Sequence, residues 1–247
     1  MGKLDGRVAI VTGASKGIGA GIALRLAADG ASVVVNYARN MDAAEQVVTT
    51  IRKAGGRATA VQADVSQPVE IKELFAKAIA AFGHVDILVN NAGIYEFGDL
   101  GSITPESIDR QFGLNVKGLI LTTQVAAEVF PATGGVVVNI SSGAGITPIV
   151  QAQVYSATKS AVDSLTRSLA LELGPRKIRV VGIAPGLVAT EGTSAMGEEG
   201  TAPFLARTPL GRIGQPADIA ATVSFIVSTD GSWVTGETLQ VGGGLRL

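Results

Sequence analysis

Apolar runs rich in Val and Ile alternate along the chain with stretches of helical period. RVAIVT (7–12) precedes a segment with Ile18, Ile22 and Leu26 on one helical face, and SVVVN (32–36) precedes one with Ala44, Val47, Val48 and Ile51 in register. ATAVQA (58–63) leads into Ile71, Leu74, Phe75, Ala78, Ile79 and Phe82, a continuous stripe of helical spacing. VDILVN (85–90), a helical stretch through about 104–131, GVVVNI (135–140), a helix from about 153 to 174 and IRVVGIA (178–184) follow. A helix at 216–228 and a strand near 237–241 complete the alternation.

The strand segments are continuously apolar rather than alternating, as a parallel sheet covered on both faces requires. The pattern predicts an α/β fold: one doubly wound parallel sheet of about seven strands flanked by helices, with right-handed crossovers, in a single domain over residues 1–247. Gly30, Gly55, Gly56, Gly83, Gly134 and Gly135 stand where helices give way to strands. Thr104-Pro105-Glu106 reads as a helix start with its cap, its first-turn proline and an acidic side chain at the positive end. One long irregular segment remains, about 186–215, and a segment of that length inside a compact domain is expected to be a substrate lid.

Composition narrows the chemistry. At 47% hydrophobic residues the chain can bury a core and is not a disordered one. The charges balance at 20 Lys+Arg against 21 Asp+Glu, giving no broad basic field for nucleic acid or acidic lipid. Its longest apolar runs, such as 219–227, fall short of the roughly 18 residues needed to span a bilayer, and residues 1–13 lack the apolar core of a signal peptide. A cytoplasmic protein with no membrane partner is expected. The absence of cysteine excludes disulfides, thiolate metal sites and cysteine catalysis. A single histidine, His84, argues against a Ser-His-Asp hydrolase and reads as a turn residue, while Glu198 and Glu199 read as solvated, so no metal site is expected. Glycine, at 32 residues, is about twice its usual share.

Part of that glycine lies in Thr12-Gly13-Ala14-Ser15-Lys16-Gly17-Ile18-Gly19, between the first strand and the first helix. Glycines there permit a sharp turn and close approach of a pyrophosphate, and the helix start offers free N–H groups and a positive dipole end. Further motifs follow in order: Asp64-Val65 after strand three, Asn90-Asn91-Ala92-Gly93 after strand four, and Asn115 in the next helix. Ser142 stands 13 residues before Tyr155-Ser156-Ala157-Thr158-Lys159, and Pro185-Gly186 follows strand six. In this order and spacing, over essentially its whole length, the chain resembles the short-chain dehydrogenase/reductase family, which implies a Rossmann-type sheet.

Tyr155 and Lys159 are four apart on a helix and so share a face. A nearby ammonium favours a phenolate and is expected to lower the tyrosine pKa from its usual value near 10. The resemblance implies that Tyr155 protonates the carbonyl oxygen in reduction, that Lys159 tunes it and binds the nicotinamide ribose, that Ser142 holds the substrate oxygen, and that Asn115 supports a water relay. Ser141 is the neighbour to exclude. It further implies cofactor contacts from Gly13, Ser15, Lys16, Gly17, Ile18 and Gly19, from Asp64 and Val65 at the adenine, from Asn91, Ala92 and Gly93 along the ribose, and from Pro185, Gly186, Val188 and Thr190 at the carboxamide side. Asp64 can equally be a turn residue, and Asn90 is expected to fix the central backbone.

An acidic residue ending strand two would select NAD through the ribose 2′-OH. Asn36-Tyr37-Ala38-Arg39 contains none, while Lys16 and Arg39 are placed to meet a 2′-phosphate, so NADP(H) is expected, with Asn36 tolerating the phosphate. Position after the motifs and within the lid makes Ile94, Tyr95, Ser142, Gly143, Ala144, Val150, Leu187, Met196 and Phe204 the substrate-pocket candidates. This mostly apolar set favours a ketone with alkyl or aryl groups, reduced reversibly to a secondary alcohol.

The alternatives are a 3-oxoacyl-carrier-protein reductase, an NADP-dependent sugar or polyol dehydrogenase and, outside enzymes, a cofactor-sensing binding protein. An acidic carrier protein would need basic residues beside the entrance, for which Arg176 and Lys177 are candidates, although residues 128–133 offer none. Relatives usually carry Asp where Gly242 stands. A homotetramer is expected by resemblance.

Overall fold

Valine and isoleucine crowd their own backbone at Cβ and fit a pleated surface covered on both sides. In the computed structural model, which describes residues 2–194 and 196–245, the apolar runs form seven strands: β1 Val8–Val11, β2 Ser32–Tyr37, β3 Arg57–Gln62, β4 Ile87–Asn90, β5 Gly135–Ile140, β6 Ile178–Pro185 and β7 Thr238–Val241. Every residue of β1, β2, β4 and β5 is buried. The strands form one parallel sheet in the order β3-β2-β1-β4-β5-β6-β7.

The helices are α1 Gly17–Ala28, α2 Met41–Lys53, α3 Pro68–Phe82, α4 Pro105–Phe112, α5 Leu119–Val129, α6 Gly143–Ile146, α7 Gln153–Leu173, α8 Glu191–Ser194, α9 Gly197–Ala206 and α10 Pro216–Val227. Alternate strand side chains enter two cores. On one face Ala9, Val33, Val35, Ile87 and Val138 meet Ile22 and Leu26 of α1, Val48 of α2 and Ile219 and Val223 of α10. On the other, Ile10, Val34, Leu88 and Val137 meet Leu74 and Phe75 of α3, Ala126 of α5 and Leu173 of α7. None of the described helices is long and apolar enough to cross a membrane.

The predicted strand and helix segments are recovered with small shifts at their ends, and Thr104 caps α4 by accepting from Ser107 N–H at 3.2 Å. Two segments differ. The stretch 104–131 is divided by a π-helical turn, Gly113–Gly118, between α4 and α5. There a Cβ on Gly118 would stand 2.7 Å from the Val65 carbonyl oxygen, so the wide turn packs directly on the backbone after β3. The segment 186–215, expected to be irregular, contains α8 and α9 and is pinned by a parallel bridge between Val188 and Gly214. Short, weakly amphipathic helices with Gly and a Pro inside leave little periodicity to read.

Polar side chains with a structural function sit inside the sheet on the central strands β4 and β5. Asn90 Nδ2 donates to Thr123 Oγ1 and to Asn139 Oδ1, each at 3.0 Å, while Asn90 Oδ1 accepts from Thr122 Oγ1 at 2.7 Å. Asn139 Nδ2 donates to Thr166 Oγ1 of α7 at 3.0 Å. Asn90 thus fixes the central backbone, as its position suggested. Replacing Asn139 by Leu leaves Asn90 and Thr166 short of partners inside the core. We expect a loss of about 1–3 kcal/mol, with the urea midpoint falling and the m-value unchanged.

Candidate active site

The strand order reverses between β1 and β4, and in open α/β sheets the crevice outside the strand ends at that point accepts ligands. The chain binds the two strand ends together there. Thr12 Oγ1 donates to the Val89 carbonyl and accepts from the backbone N–H groups of Asn91 and Ala92, and Asn91 Nδ2 donates to the carbonyls of Thr12 and Gly13. Gly17 opens α1 at φ +57°, and a Cβ on Gly19 would stand 2.4 Å from Asn91 Nδ2, so neither position tolerates a side chain. The start of α1 carries no side-chain cap and no acidic residue in its first turn. Its free N–H groups and positive dipole end border the cavity that Ile18, Asn91 and Gly93 help to line, a cradle that fits a dinucleotide phosphate.

Several expected cofactor contacts are committed elsewhere. Asn36 is buried, accepts from Gly13 N–H at 3.2 Å and donates to the carbonyls of Val61 and Ala63. It holds the glycine loop to β2 and β3 and has no amide hydrogen left for a ribose phosphate. Tyr37 lies in the core, as does Val65 on the other face. Asn91 is spent on the loop, Ala92 packs beneath Gly13, and Asp64 Oδ1 accepts from Ser66 N–H at 2.9 Å in a turn. Lys16, Ala38 and Arg39 are exposed where α1 and β2 meet the crevice, with Ser15 partly buried between them. Pro185, Gly186, Val188 and Thr190 line the cavity where β6 ends.

Tyr155, Lys159 and Ser142 meet at the inner wall of the same cavity. Ser142 caps α6, accepting from Ala144 N–H at 3.2 Å, and lies close enough to the Tyr155 phenol to favour its ionised form. Ser141 is buried and donates to the Lys159 carbonyl, a structural role. Lys159 is buried, its Nζ donating to the Ile140 carbonyl at 2.8 Å and lying 5.7 Å from the Tyr155 ring centroid. Burial brings its pKa down to about 8, against an opposing pull from Asp163. Burial also pushes the Tyr155 phenol above its ordinary value, with Ser142 working the other way and Tyr95 adding to the rise. The net direction is opposite to the expected lowering, which keeps the phenol in its protonated form, the form a proton donor needs.

Asn115 lies in the π-helical turn, a local form often found at functional sites. Its Oδ1 accepts from Ile94 N–H at 2.9 Å, and its Nδ2 donates to the Ile94 carbonyl and to Thr158 Oγ1. The Asn115 side chain thus ties the loop after β4 to α7. That tether sets Gly93 against the buried lysine, where a Cβ would stand 3.7 Å from Lys159 Nζ.

The cavity has a volume of about 300 Å³ and a mostly apolar wall, to which Tyr95, Leu187, Met196 and Phe204 contribute as expected. Ile94, Gly143, Ala144 and Val150 do not line it. Ile94 is held by Asn115, Gly143 and Ala144 turn into α6, and Val150 points to solvent at 84% exposure. Phe97 and Ile149 line the wall in their place. Tyr95 and Phe97 alternate along an extended loop, a period-two signal that could have found Phe97. Tyr95 meets Phe97 and Tyr155 edge to face, at ring-centroid distances of 5.6 and 6.0 Å. Gly192 of α8 completes the closure, since a Cβ there would stand 2.1 Å from Tyr95 Oη.

Arg176 and Lys177 lie at the wrong end of the sheet to flank this entrance. They precede β6, whose C-terminal residue Pro185 borders the cavity, and the seven steps of about 3.3 Å along that strand separate its two ends by roughly 23 Å. Arg176 is also bound to the Ala127 carbonyl. Gly242 packs on Gly186, where a Cβ would meet Gly242 Cα at 2.8 Å. His84 pairs with Asp86 at 3.0 Å, and no group of metal-ligating side chains occurs among the described residues.

A glycine loop at the switch point of a parallel sheet, facing a half-buried tyrosine and a buried lysine, defines a dinucleotide-dependent oxidoreductase. Comparison with known proteins narrows that class. Residues 13–246 match the family described as Enoyl-(Acyl carrier protein) reductase. An oxidoreductase of Methylorubrum extorquens, itself uncharacterised, is 51% identical over the full length of both chains. The structure of the angucycline C-6 ketoreductase LanV with bound NADP superposes with a TM-score of 0.94 at 35% identity, covering 99% of this chain and 97% of that one. A 7α-hydroxysteroid dehydrogenase solved with NADH and a 7-oxo bile acid gives 0.94 at 39% identity, covering 98% and 94%. The chain belongs to the short-chain dehydrogenase/reductase family.

The commitments of Asn36 make a specific forecast. Asn36→Asp replaces two amide donors with a buried carboxylate facing the carbonyls of Val61 and Ala63. The variant should melt at lower temperature and lose affinity for NADPH and NADH together, rather than for NADPH alone. Thermal melts and fluorescence titrations with each cofactor check this.

Proposed function

We propose that the protein is an NADPH-dependent ketoreductase that converts an apolar ketone to a secondary alcohol. The observation that carries the reading is the meeting of Tyr155, Ser142 and the buried Lys159 at the wall of an apolar cavity that the uncapped start of α1 also borders. NADPH, when bound, supplies the hydride. Ser142 and Tyr155 hold the carbonyl oxygen, and Tyr155 gives it a proton as negative charge develops there. The buried Lys159 ammonium stabilises the phenolate left behind until the proton is replaced. The aromatic and aliphatic walls exclude water and accept the carbon substituents. Oxidation of the alcohol reverses these steps, with the phenolate as base.

Solved neighbours hold NADP in one case and NADH in another, so the preference has to come from this chain's own residues. Lys16 and Arg39 are exposed cations without a partner among the described residues, placed beside the crevice, and no carboxylate ends β2. Both match the recognition of a 2′-phosphate. The mostly apolar lining weighs against a sugar or polyol, and the position of Arg176 and Lys177 weighs against docking of an acidic carrier protein beside the entrance. An intact tyrosine–lysine pair weighs against a sensor without chemistry.

Tyr155→Phe should keep NADPH affinity and lose about 10²–10⁴-fold in turnover of an apolar aryl ketone. Unchanged turnover would remove Tyr155 as the acid. Lys16→Ala combined with Arg39→Ala should raise KM for NADPH while leaving the NADH reaction nearly unaltered. Equal effects on both cofactors would overturn the NADPH assignment. A substrate panel in which only acyl thioesters on carrier protein react would overturn the ketone reading.

Reduction should weaken as pH rises through about 8, because Lys159 loses its proton there. The same lysine makes a stability forecast. Its folded pKa lies below its value near 10.5 in the unfolded chain, so between about 8 and 10.5 the unfolded state binds more protons and stability rises with pH. Thermal melts across that window test the sign.

A further inference from the structure

The face of α7 that carries Tyr155 and Lys159 continues for one more turn to Asp163. This carboxylate has no part in the steps above, yet it is only 6% exposed. Its Oδ1 accepts from Thr238 Oγ1 of β7 at 3.2 Å, and the Ser141 hydroxyl at the end of β5 lies close enough to favour its charge. The short helix α6 lies directly over the stretch. A Cβ on Gly145 would stand 2.8 Å from the Lys159 carbonyl carbon and 3.0 Å from Asp163 Oδ2.

A carboxylate held away from water is costly unless a charge or strong donors offset it. Hydroxyls at Thr238 and Ser141 would serve an amide equally well, so they do not explain an acid. The buried cation next to it does. Lys159 Nζ has a neutral carbonyl, that of Ile140, as its hydrogen-bond partner, and Asp163 is the carboxylate whose field acts on it. The other charged or titratable groups acting on this row are Arg167, one turn further along α7, on Asp163, and Tyr95 on Tyr155. The elements packed on it present Gly145 from α6, Thr238 from β7 and Asn115 from the π-helical turn, none of which titrates.

We propose that Asp163 is a positioning residue whose buried carboxylate, tethered to β7 through Thr238, supplies the counter-charge that keeps Lys159 an ammonium beneath the catalytic phenol. Tyr155, Lys159 and Asp163 then form a row of three on one helix face, in which the first moves a proton, the second carries the charge and the third holds that charge in place. The last strand of the sheet thereby acts on the reacting centre without bordering the proton-transfer site.

The inference rests on the ketoreductase reading for its kinetic arm alone. Asp163→Asn in the full chain should displace three midpoints to lower pH, each by roughly one unit. These are the alkaline fall of kcat/KM, the pH at which NADPH affinity weakens in fluorescence titrations, and the onset of the alkaline rise in thermal stability. Asp163→Ser, also neutral but smaller, should move them in the same direction and serves if the amide does not fold. Asp163→Glu should restore them towards the parent values. Midpoints that stay in place while the melting temperature falls at every pH would overturn the proposal, leaving Asp163 a packing residue. If the protein reduces no ketone, the binding and stability midpoints still decide the role of Asp163, so that failure stays separate from failure of the proposed function.

Discussion

The hydrogen-bond network of Asn90 and Asn139 is the constraint on which the site depends. These two side chains stand opposite each other on the central strands β4 and β5, and each reaches a threonine on a helix: Thr122 and Thr123 on α5, Thr166 on α7. Apolar packing alone would hold α7 against the sheet but would tolerate rotation and sliding, because hydrophobic contact is not directional. A hydrogen bond in a dry interior tolerates neither, since misplacing one partner strands the other. Thr166 is therefore the point that fixes the register of α7, and Tyr155, Lys159 and Asp163 inherit their places from it along a helix of 21 residues.

A second set of bonds does the same for the opposite wall. Thr12 and Asn91 bind the ends of β1 and β4, and Asn36 binds the glycine loop to β2 and β3. Asn115 joins the loop after β4 to α7. The crevice is thus bounded on this side by backbone whose position is set from below, while its outer wall is made by α8, α9, Tyr95 and Phe97.

The strand–helix alternation, the parallel sheet and the chemistry-bearing positions on α7 were legible because each follows from a short period or a fixed spacing. Tyr155 and Lys159 share a helix face by arithmetic, and the glycine loop announces itself by residues that fit few other conformations. What stayed hidden was the destination of polar side chains. Asn36 and Asn115 occupy the places expected of them but spend their amides on the scaffold, because the partners, Val61, Ala63, Ile94 and Thr158, are distant in sequence or are backbone atoms with no signature. Helices α8 and α9 were hidden for another reason. Isolated short helices gain most of their stability from tertiary packing, which leaves only a faint local signal.

Placing a lysine in the interior sets two demands against each other. The closer Lys159 lies to the phenol in a dry environment, the more strongly its charge acts on the proton-transfer step. The same dryness draws the proton off the ammonium, and its pKa comes down to about 8. A surface lysine would keep its proton and lose its influence to solvent screening. A buried lysine with no opposing charge would keep its place and lose its proton. A carboxylate one turn away, out of reach of the substrate and held by a hydroxyl from β7, reconciles the two: it supplies charge without competing for the site that the phenol and Ser142 form.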